Sequence, residues 1–223
     1  MDLDNIIKER HSVRKYLDKQ IEKEKIEKLN NIIDECNKEG NLHIQLVLND
    51  RDAFSKFFLN YGKVEASNYL AMIGKDSEEL YNNIGYYGEK IVIEAQKMGL
   101  NTCWVSGTYN KKYVKADIDS NEKIVCVIAI GYGVNNGIKR NSKSFNEVSY
   151  SKNVPDWYKK GIEYALLAPT AINQQKFKFE LIDENKVKLS GGIGLSNIKI
   201  DLGIVKYHFE LGAGKDNFTW YSN

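Results

Sequence analysis

Five consecutive residues near the amino terminus, Arg10-His11-Ser12-Val13-Arg14, set two guanidiniums, an imidazole and a hydroxyl just after a short amphipathic helix expected over about residues 2–9. A guanidinium grips phosphate through two parallel hydrogen bonds, and Ser12 adds a neutral donor. Each charge-assisted bond contributes about 1.5–3 kcal/mol, so a few would hold a phosphomonoester. The same cluster also suits a solvated helix end. A second basic stretch, Lys139-Arg140-Asn141-Ser142-Lys143, follows Gly131-Tyr132-Gly133. It leaves the same two options: phosphate contact through Arg140 and Lys143, or a solvated loop.

Two further segments offer polarity without charge. In Gly99–Tyr109, Ser106-Gly107 can present backbone N–H groups closely to a ligand, because glycine lets the backbone approach. Trp104 in the same stretch suits packing. In Leu167-Ala168-Pro169-Thr170-Ala171-Ile172-Asn173-Gln174-Gln175-Lys176-Phe177, Pro169 ends a helix. Thr170, Asn173 and Gln174 then supply donors and acceptors. Such a loop could line the polar edge of a ribityl chain or an aromatic heterocycle, or simply join a helix to a strand. His43 and His208 lack ligand-spaced partners and are expected to be structural, so no metal site is expected. Cys36, Cys103 and Cys126 are odd in number and show no paired spacing, which suits reduced thiols. Cys126, inside the apolar run Val125–Ile130, suits a core position.

These segments need elements to position them. Ile26, Leu29, Ile33 and Cys36 recur at helical spacing in a helix over about 22–38 that Gly40-Asn41 stops. Strands are expected over Leu42–Leu48 and Tyr69–Ile73, with a helix around Asp52–Leu59 and a turn at Tyr61-Gly62 between them. A long helix over about 77–98 ends at Gly99, where a left-handed cap belongs. Lys123–Ile130 is an unbroken apolar strand suited to the middle of a sheet. Beyond about residue 155 the order restarts. Helix Asp156–Leu167 leads through the Ala168–Gln175 loop to strand Phe177–Ile182, a short strand near Val187–Leu189, a glycine-rich link and a helix over about 199–213. Gly88 and Gly99 align with Gly203 and Gly214 at one constant offset, which suggests a degenerate internal duplication.

Composition bounds what these elements can do. The 223 residues are 42% hydrophobic and 28% charged, an ordinary globular balance. The net charge of +2, from 32 basic and 30 acidic side chains, gives no bulk field for nucleic acid or an anionic membrane. Any anion site must be local. Met1–Glu9 is too charged for a signal peptide, and no apolar stretch approaches the ~20 residues of a membrane span. A soluble, cytoplasmic protein is expected.

Taken together, the segments resemble the FMN-dependent nitroreductases, in particular the branch with both half-units in one polypeptide. The resemblance runs from Arg10–Arg14 through Gly99–Tyr109 and Gly131-Tyr132-Gly133 to Ala168–Gln175 and Asp201-Leu202-Gly203-Ile204. It implies an α+β fold in which a central mixed, mostly antiparallel sheet is flanked by helices. The whole chain, 1–223, would be one domain, with degenerate half-repeats at 1–150 and 151–223. Arg10, His11 and Ser12 would contact the flavin phosphate, with Arg140 and Lys143 approaching from the other side. Arg14 would stabilise negative charge at N1 and O2. Ser106 and Gly107 would face N5, and Pro169, Thr170, Asn173 and Gln174 would close over the cofactor. No side chain would be a catalytic residue, since NADH or NADPH would pass hydride through flavin N5 to a nitroaromatic, quinone or similar small acceptor by a ping-pong route. Ordinary members take the proline–asparagine loop from a partner chain. Here each motif occurs once per chain, implying a monomer that acts as a pseudo-dimer with one FMN. Lys176-Phe177 stands where the family usually has proline then tryptophan, a departure that bears on pocket depth. The competing readings are an FMN-binding module without turnover and a divergent scaffold without cofactor.

Overall fold

The computed structural model describes residues 2–55, 62–192 and 198–221. The chain divides into two compact units, Met1–Leu80 with Lys90–Lys139 and Tyr81–Glu89 with Arg140–Asn223.

In the first unit, α1 (Leu3–Glu9) buries Ile6 and Ile7. Helix α2 (Lys23–Gly40) buries Leu29, Ile33, Cys36 and Gly40, one stripe at steps of three and four, and ends on Asn41 in the left-handed region. Strand β1 (Gln45–Val47) is shorter than its apolar run, with an isolated bridge from Leu42 to Gly74 extending it. Helix α3 covers Asp52–Ser55. The rest of the helix expected to Leu59, and Tyr61 of the expected turn, lie outside the described residues. Strand β2 (Tyr69–Lys75) leads to α4 (Leu80–Lys97), which Gly99 terminates at φ +74. Strands β3 (Asn101–Val105) and β4 (Glu122–Gly131) complete a four-stranded sheet in the order β1-β2-β4-β3, antiparallel throughout.

The two inner strands are the most apolar. Tyr69–Ile73 are all buried, so both faces of β2 are covered. One face packs Tyr69, Ala71 and Ile73 with Val127 and Ala129 of β4, Cys103 and Val105 of β3, and Phe54 of α3. Strand β3 was not expected as a strand. It shows that the Gly99–Tyr109 segment is sheet before it is loop.

The second unit holds α5 (Phe145–Val148), α6 (Asp156–Ala165), β5 (Phe177–Asp183), β6 (Lys186–Gly191), α7 (Ile198–Ala213) and β7 (Thr219–Trp220). Residues 193–197 of the glycine-rich link lie outside the described residues. Its sheet runs β5-β6-β7, with β5 and β6 antiparallel and β7 parallel to β6. Phe209 of α7 centres an aromatic core. It stacks on Phe179 at 4.7 Å and meets Tyr158 and Phe218 edge-on at 5.7 and 5.1 Å. Gly161 of α6 lies against the Phe209 ring, where a Cβ would sit 2.6 Å from Cε2.

The first half of α4, which belongs to this unit, meets α7 almost backbone to backbone. A Cβ on Gly85 would lie 2.1 Å from the Ile200 carbonyl oxygen, and one on Gly203 2.1 Å from that of Asn82. Along the same interface the fully buried Glu89 carboxylate and His208 Nε2 are 2.8 Å apart, while His208 Nδ1 faces the Tyr164 carbonyl at 3.1 Å. A carbonyl only accepts, so Nδ1 carries a proton. A second proton must lie between Nε2 and the carboxylate, which keeps the buried pair neutral overall.

Gly85→Ala and Gly203→Ala are each expected to lower stability by about 1–3 kcal/mol, or roughly 2–12 °C in Tm. Gly107→Ala, where a Cβ meets nothing within 4 Å, should leave Tm unchanged. Thermal unfolding followed by circular dichroism checks the contrast.

Candidate functional site

The basic motif lies in the first unit and is fixed by its backbone. Helix α1 ends as Arg10 turns extended, and the chain then runs beside β3, where Ser12 bridges Thr102 and the Val13 N–H donates to the Thr102 carbonyl at 3.0 Å. The Arg14 carbonyl accepts from the Glu65 N–H at 2.8 Å, and the Leu17 N–H donates to the Tyr132 carbonyl at 2.7 Å. Gly131-Tyr132-Gly133 therefore clasps the motif. Gly133 packs on Val13 and donates its N–H to Asn101 Oδ1 at 2.9 Å. Gly137, at φ +81, lies so close that a Cβ would sit 2.6 Å from the Cβ of His11.

This backbone sorts the side chains. Arg10 and Val13 are buried, His11 and Ser12 half-buried, and Arg14 exposed. Among the described residues, no side-chain hydrogen bond or ion pair engages the Arg14 guanidinium. Cys103 lies close by. Burial pushes its thiol up, while Arg14, Arg10 and a hydrogen bond from Ser12 act the other way. Burial likewise raises the Tyr16 phenol well above its ordinary value, with Cys103 adding to the rise and Arg14 opposing it. Neither group is an ionised nucleophile at neutral pH. Ser106 and Gly107 follow β3 directly, exposed, with open space around Gly107.

The amide loop and the second basic stretch come together in the other unit. Arg140 donates to the Ala168 carbonyl at 2.9 Å, Ser142 Oγ to Leu166 at 3.0 Å, and Lys143 Nζ to Gln175 at 2.8 Å. In return, Asn173 Nδ2 donates to the Asn141 carbonyl at 2.8 Å. Here Arg140 and Lys143 brace the loop carbonyls. Pro169 is buried, Thr170 and Gln174 are half-buried, and Thr170 Oγ1 accepts from the Gln175 N–H at 3.1 Å. Gln174 Nε2 donates to the Ala171 carbonyl at 3.1 Å.

Two residues in this network were not singled out as ligands or supports from sequence. Gln175, 1% exposed, is the central tie: Nε2 donates to the Leu166 carbonyl at 3.0 Å and Oε1 accepts from the Lys143 N–H at 2.7 Å. Its signal was the alternation of buried Gln175, Phe177 and Phe179 entering β5. Asp201, in the first turn of α7, takes the Ala171 N–H on both carboxylate oxygens at 3.1 and 3.3 Å. Phe177 is buried beside Phe179, so an aromatic ring packs immediately after the loop despite the departure at Lys176-Phe177.

His43 Nδ1 pairs with Glu122 at 2.8 Å, and both histidines flagged by the sequence are thus hydrogen-bonded. No helix among the described residues is long and apolar enough to cross a membrane.

These sheets, helices and loops define an α+β protein of the nitroreductase type. A family model described as "Putative TM nitroreductase" matches residues 2–213, and the chain belongs to that family of oxidoreductases. Its fold is similar to that of a "putative nitroreductase" from Thermotoga maritima, with TM-score 0.70 and 20% identity, covering 97% of this chain and 85% of that one. A nitroreductase family protein from Streptococcus pneumoniae matches with TM-score 0.55 and 14% identity over 68% of this chain and all of its own. A "Putative NADH Oxidase" from Clostridium acetobutylicum matches with TM-score 0.50 and 27% identity over 66% of this chain and 99% of its own. No curated protein matches the sequence.

Burial raises the Asp201 carboxyl from 3.8 to about 6, against the opposing hydrogen bond from Ala171. Between about pH 4 and 6 the folded chain keeps a proton that the unfolded chain has released, so stability falls as pH rises through that window. Asp201→Asn keeps an acceptor for Ala171 and removes the charge. It should match the parent below about pH 4 and exceed it by up to about 3 kcal/mol above pH 6. Urea unfolding across pH 3.5–8 checks this; a constant difference at every pH would refute the assignment.

Proposed function

We propose that this chain is an FMN-dependent oxidoreductase that moves hydride from NADH or NADPH to a small organic acceptor such as a nitroaromatic or quinone, by a ping-pong route. The observation that carries the reading is the family match over residues 2–213, which takes in both the basic motif and the amide loop. The name of the 27% identical relative, an NADH oxidase, supports a reduced nicotinamide as donor.

The residues fit the cofactor. Arg10, His11, Ser12 and Arg14 form a donor set without a carboxylate, suited to a phosphomonoester and to a ring edge that gathers negative charge on reduction. The Arg14 guanidinium is exposed and, among the described residues, engaged by no side chain, which suits an approach to N1 and O2. Ser106 is exposed, and Gly107 has open space where a Cβ would sit. In the second unit Pro169, Thr170, Asn173 and Gln174 form the amide-rich contact surface, with Arg140 and Lys143 serving both the loop and the phosphate. FMN when bound supplies the hydride acceptor and donor at N5. The protein binds it, sets its potential through Arg14 and excludes competing reactions. Cys103 and Tyr16, both raised by burial, supply no ionised nucleophile beside Arg14. Each motif occurs once in the chain, so we assign one FMN per chain to a monomer with pseudo-dimeric half-repeats at 1–150 and 151–223, acting in the cytoplasm and needing no nucleic acid or metal.

Freshly purified protein should be yellow, bind about one FMN per chain and bleach on anaerobic NADH or NADPH. Saturation near 100 times the dissociation constant should add about 2.7 kcal/mol of stability. Arg14→Ala and Asn173→Ala should each weaken FMN binding. A yellow protein that reduced nicotinamide does not bleach would be a binding module. A colourless one with no thermal shift would be a scaffold without cofactor.

A further inference from the structure

Ile172 stands apart from every other residue of the amide loop. It is 71% exposed, and its backbone sits at φ 44, ψ 29, in the left-handed region. A β-branched residue there is a true outlier, because its Cβ substituents crowd the backbone. Asn173 at φ 56 and Gln175 at φ 47 share the region, but asparagine tolerates it and Gln175 is tied down by its buried amide. Ile172 gains neither an amide bond nor burial. The turn that strains it is held from outside, by Asp201 on the Ala171 N–H, by the Asn173–Asn141 bond and by the Gln175 contacts. Strain that surrounding structure maintains points to use rather than to packing.

We propose that Ile172 is a specificity-determining contact for the electron acceptor, an apolar knob held rigidly outward to meet one face of a planar ring. The inference rests on the flavin reading and adds a residue that the cofactor does not need. Its neighbours decide the class of partner. Asn173 and Lys176 are exposed and polar, and Ala171 is half-buried. A single apolar side chain amid polar ones is too small a surface for protein docking, but it matches a quinone or nitroaromatic ring. The knob would favour larger apolar rings, because the energy gained scales with apolar area removed from water.

The test uses the full-length holoprotein with Ile172→Gly, Ile172→Asn and Ile172→Leu. Glycine and asparagine relieve the backbone and remove the knob; leucine keeps an apolar knob. The probes are 2-methyl-1,4-naphthoquinone and the smaller 1,4-benzoquinone. Binding to the oxidised holoprotein is read from the flavin absorption spectrum, and KM and kcat separately from turnover. Glycine and asparagine variants should bind FMN as the parent does, melt at the same temperature or higher, bind naphthoquinone about tenfold more weakly and show a naphthoquinone KM about tenfold higher, with a smaller change for benzoquinone. Leucine should restore most of the naphthoquinone affinity. Unchanged quinone binding in flavin-loaded Ile172→Gly and Ile172→Asn would overturn this inference alone. A lower Tm in both would mark Ile172 as a structural contact and also overturn it. Parent protein that takes up no FMN would overturn the flavin reading, and this inference with it.

Discussion

The conformation of the 166–175 loop depends on one buried amide. Gln175 joins the end of α6, through Leu166, to the basic stretch, through Lys143, and sits where β5 begins. Its bonds fix a turn holding non-glycine residues in the left-handed region, each worth on the order of 1–3 kcal/mol of strain. Such a turn persists only when its surroundings over-determine it. Here Arg140, Ser142, Lys143, Asn141 and Asp201 all contribute bonds, so the loop is a rigid surface built from polar contacts. Rigidity of this kind lets a binding surface keep its shape before a ligand arrives.

The first unit solves a related problem by different means. Its basic motif is neither helix nor regular strand, yet backbone bonds to Thr102, Glu65 and Tyr132 set the direction of each side chain. Val13 turns inward and Arg14 outward, the alternation expected of extended chain. Gly133 and Gly137 matter because only a bare backbone can approach the motif so closely. The same burial keeps the Cys103 thiol protonated even with the Arg10 and Arg14 guanidiniums beside it.

Much of the fold was legible because its signals are local. The stripe in α2, the apolar run of β4 and the cap at Gly99 each announce themselves within a few residues. Strand β3 did not, since Asn101-Thr102-Cys103-Trp104-Val105 mixes polar and apolar residues and is sheet through its pairing with β4. Strand β7 is two residues long and exists through its parallel pairing with β6. For the site, the residue types in the basic motif and the amide loop could be read directly. What could not be read was which amide is buried, Gln175 rather than Gln174, or that an isoleucine occupies a conformation its branching disfavours. Both follow from long-range bonds. Asp201 was visible only as the opening of a helix, and its support of Ala171 spans 30 residues.

The partition of α4 has a further consequence. Its first nine residues in the second unit, Tyr81–Glu89, are separated in sequence from the remainder by Lys90–Lys139. The groove that receives Gly203, and the carboxylate that completes His208, are therefore synthesised more than a hundred residues before their partners. A fragment starting at Arg140 would expose a bare helix face and a histidine lacking its acid, so this unit cannot be cut out as one continuous stretch. During translation the same separation gives it high contact order, and its interior closes only after α7 has emerged.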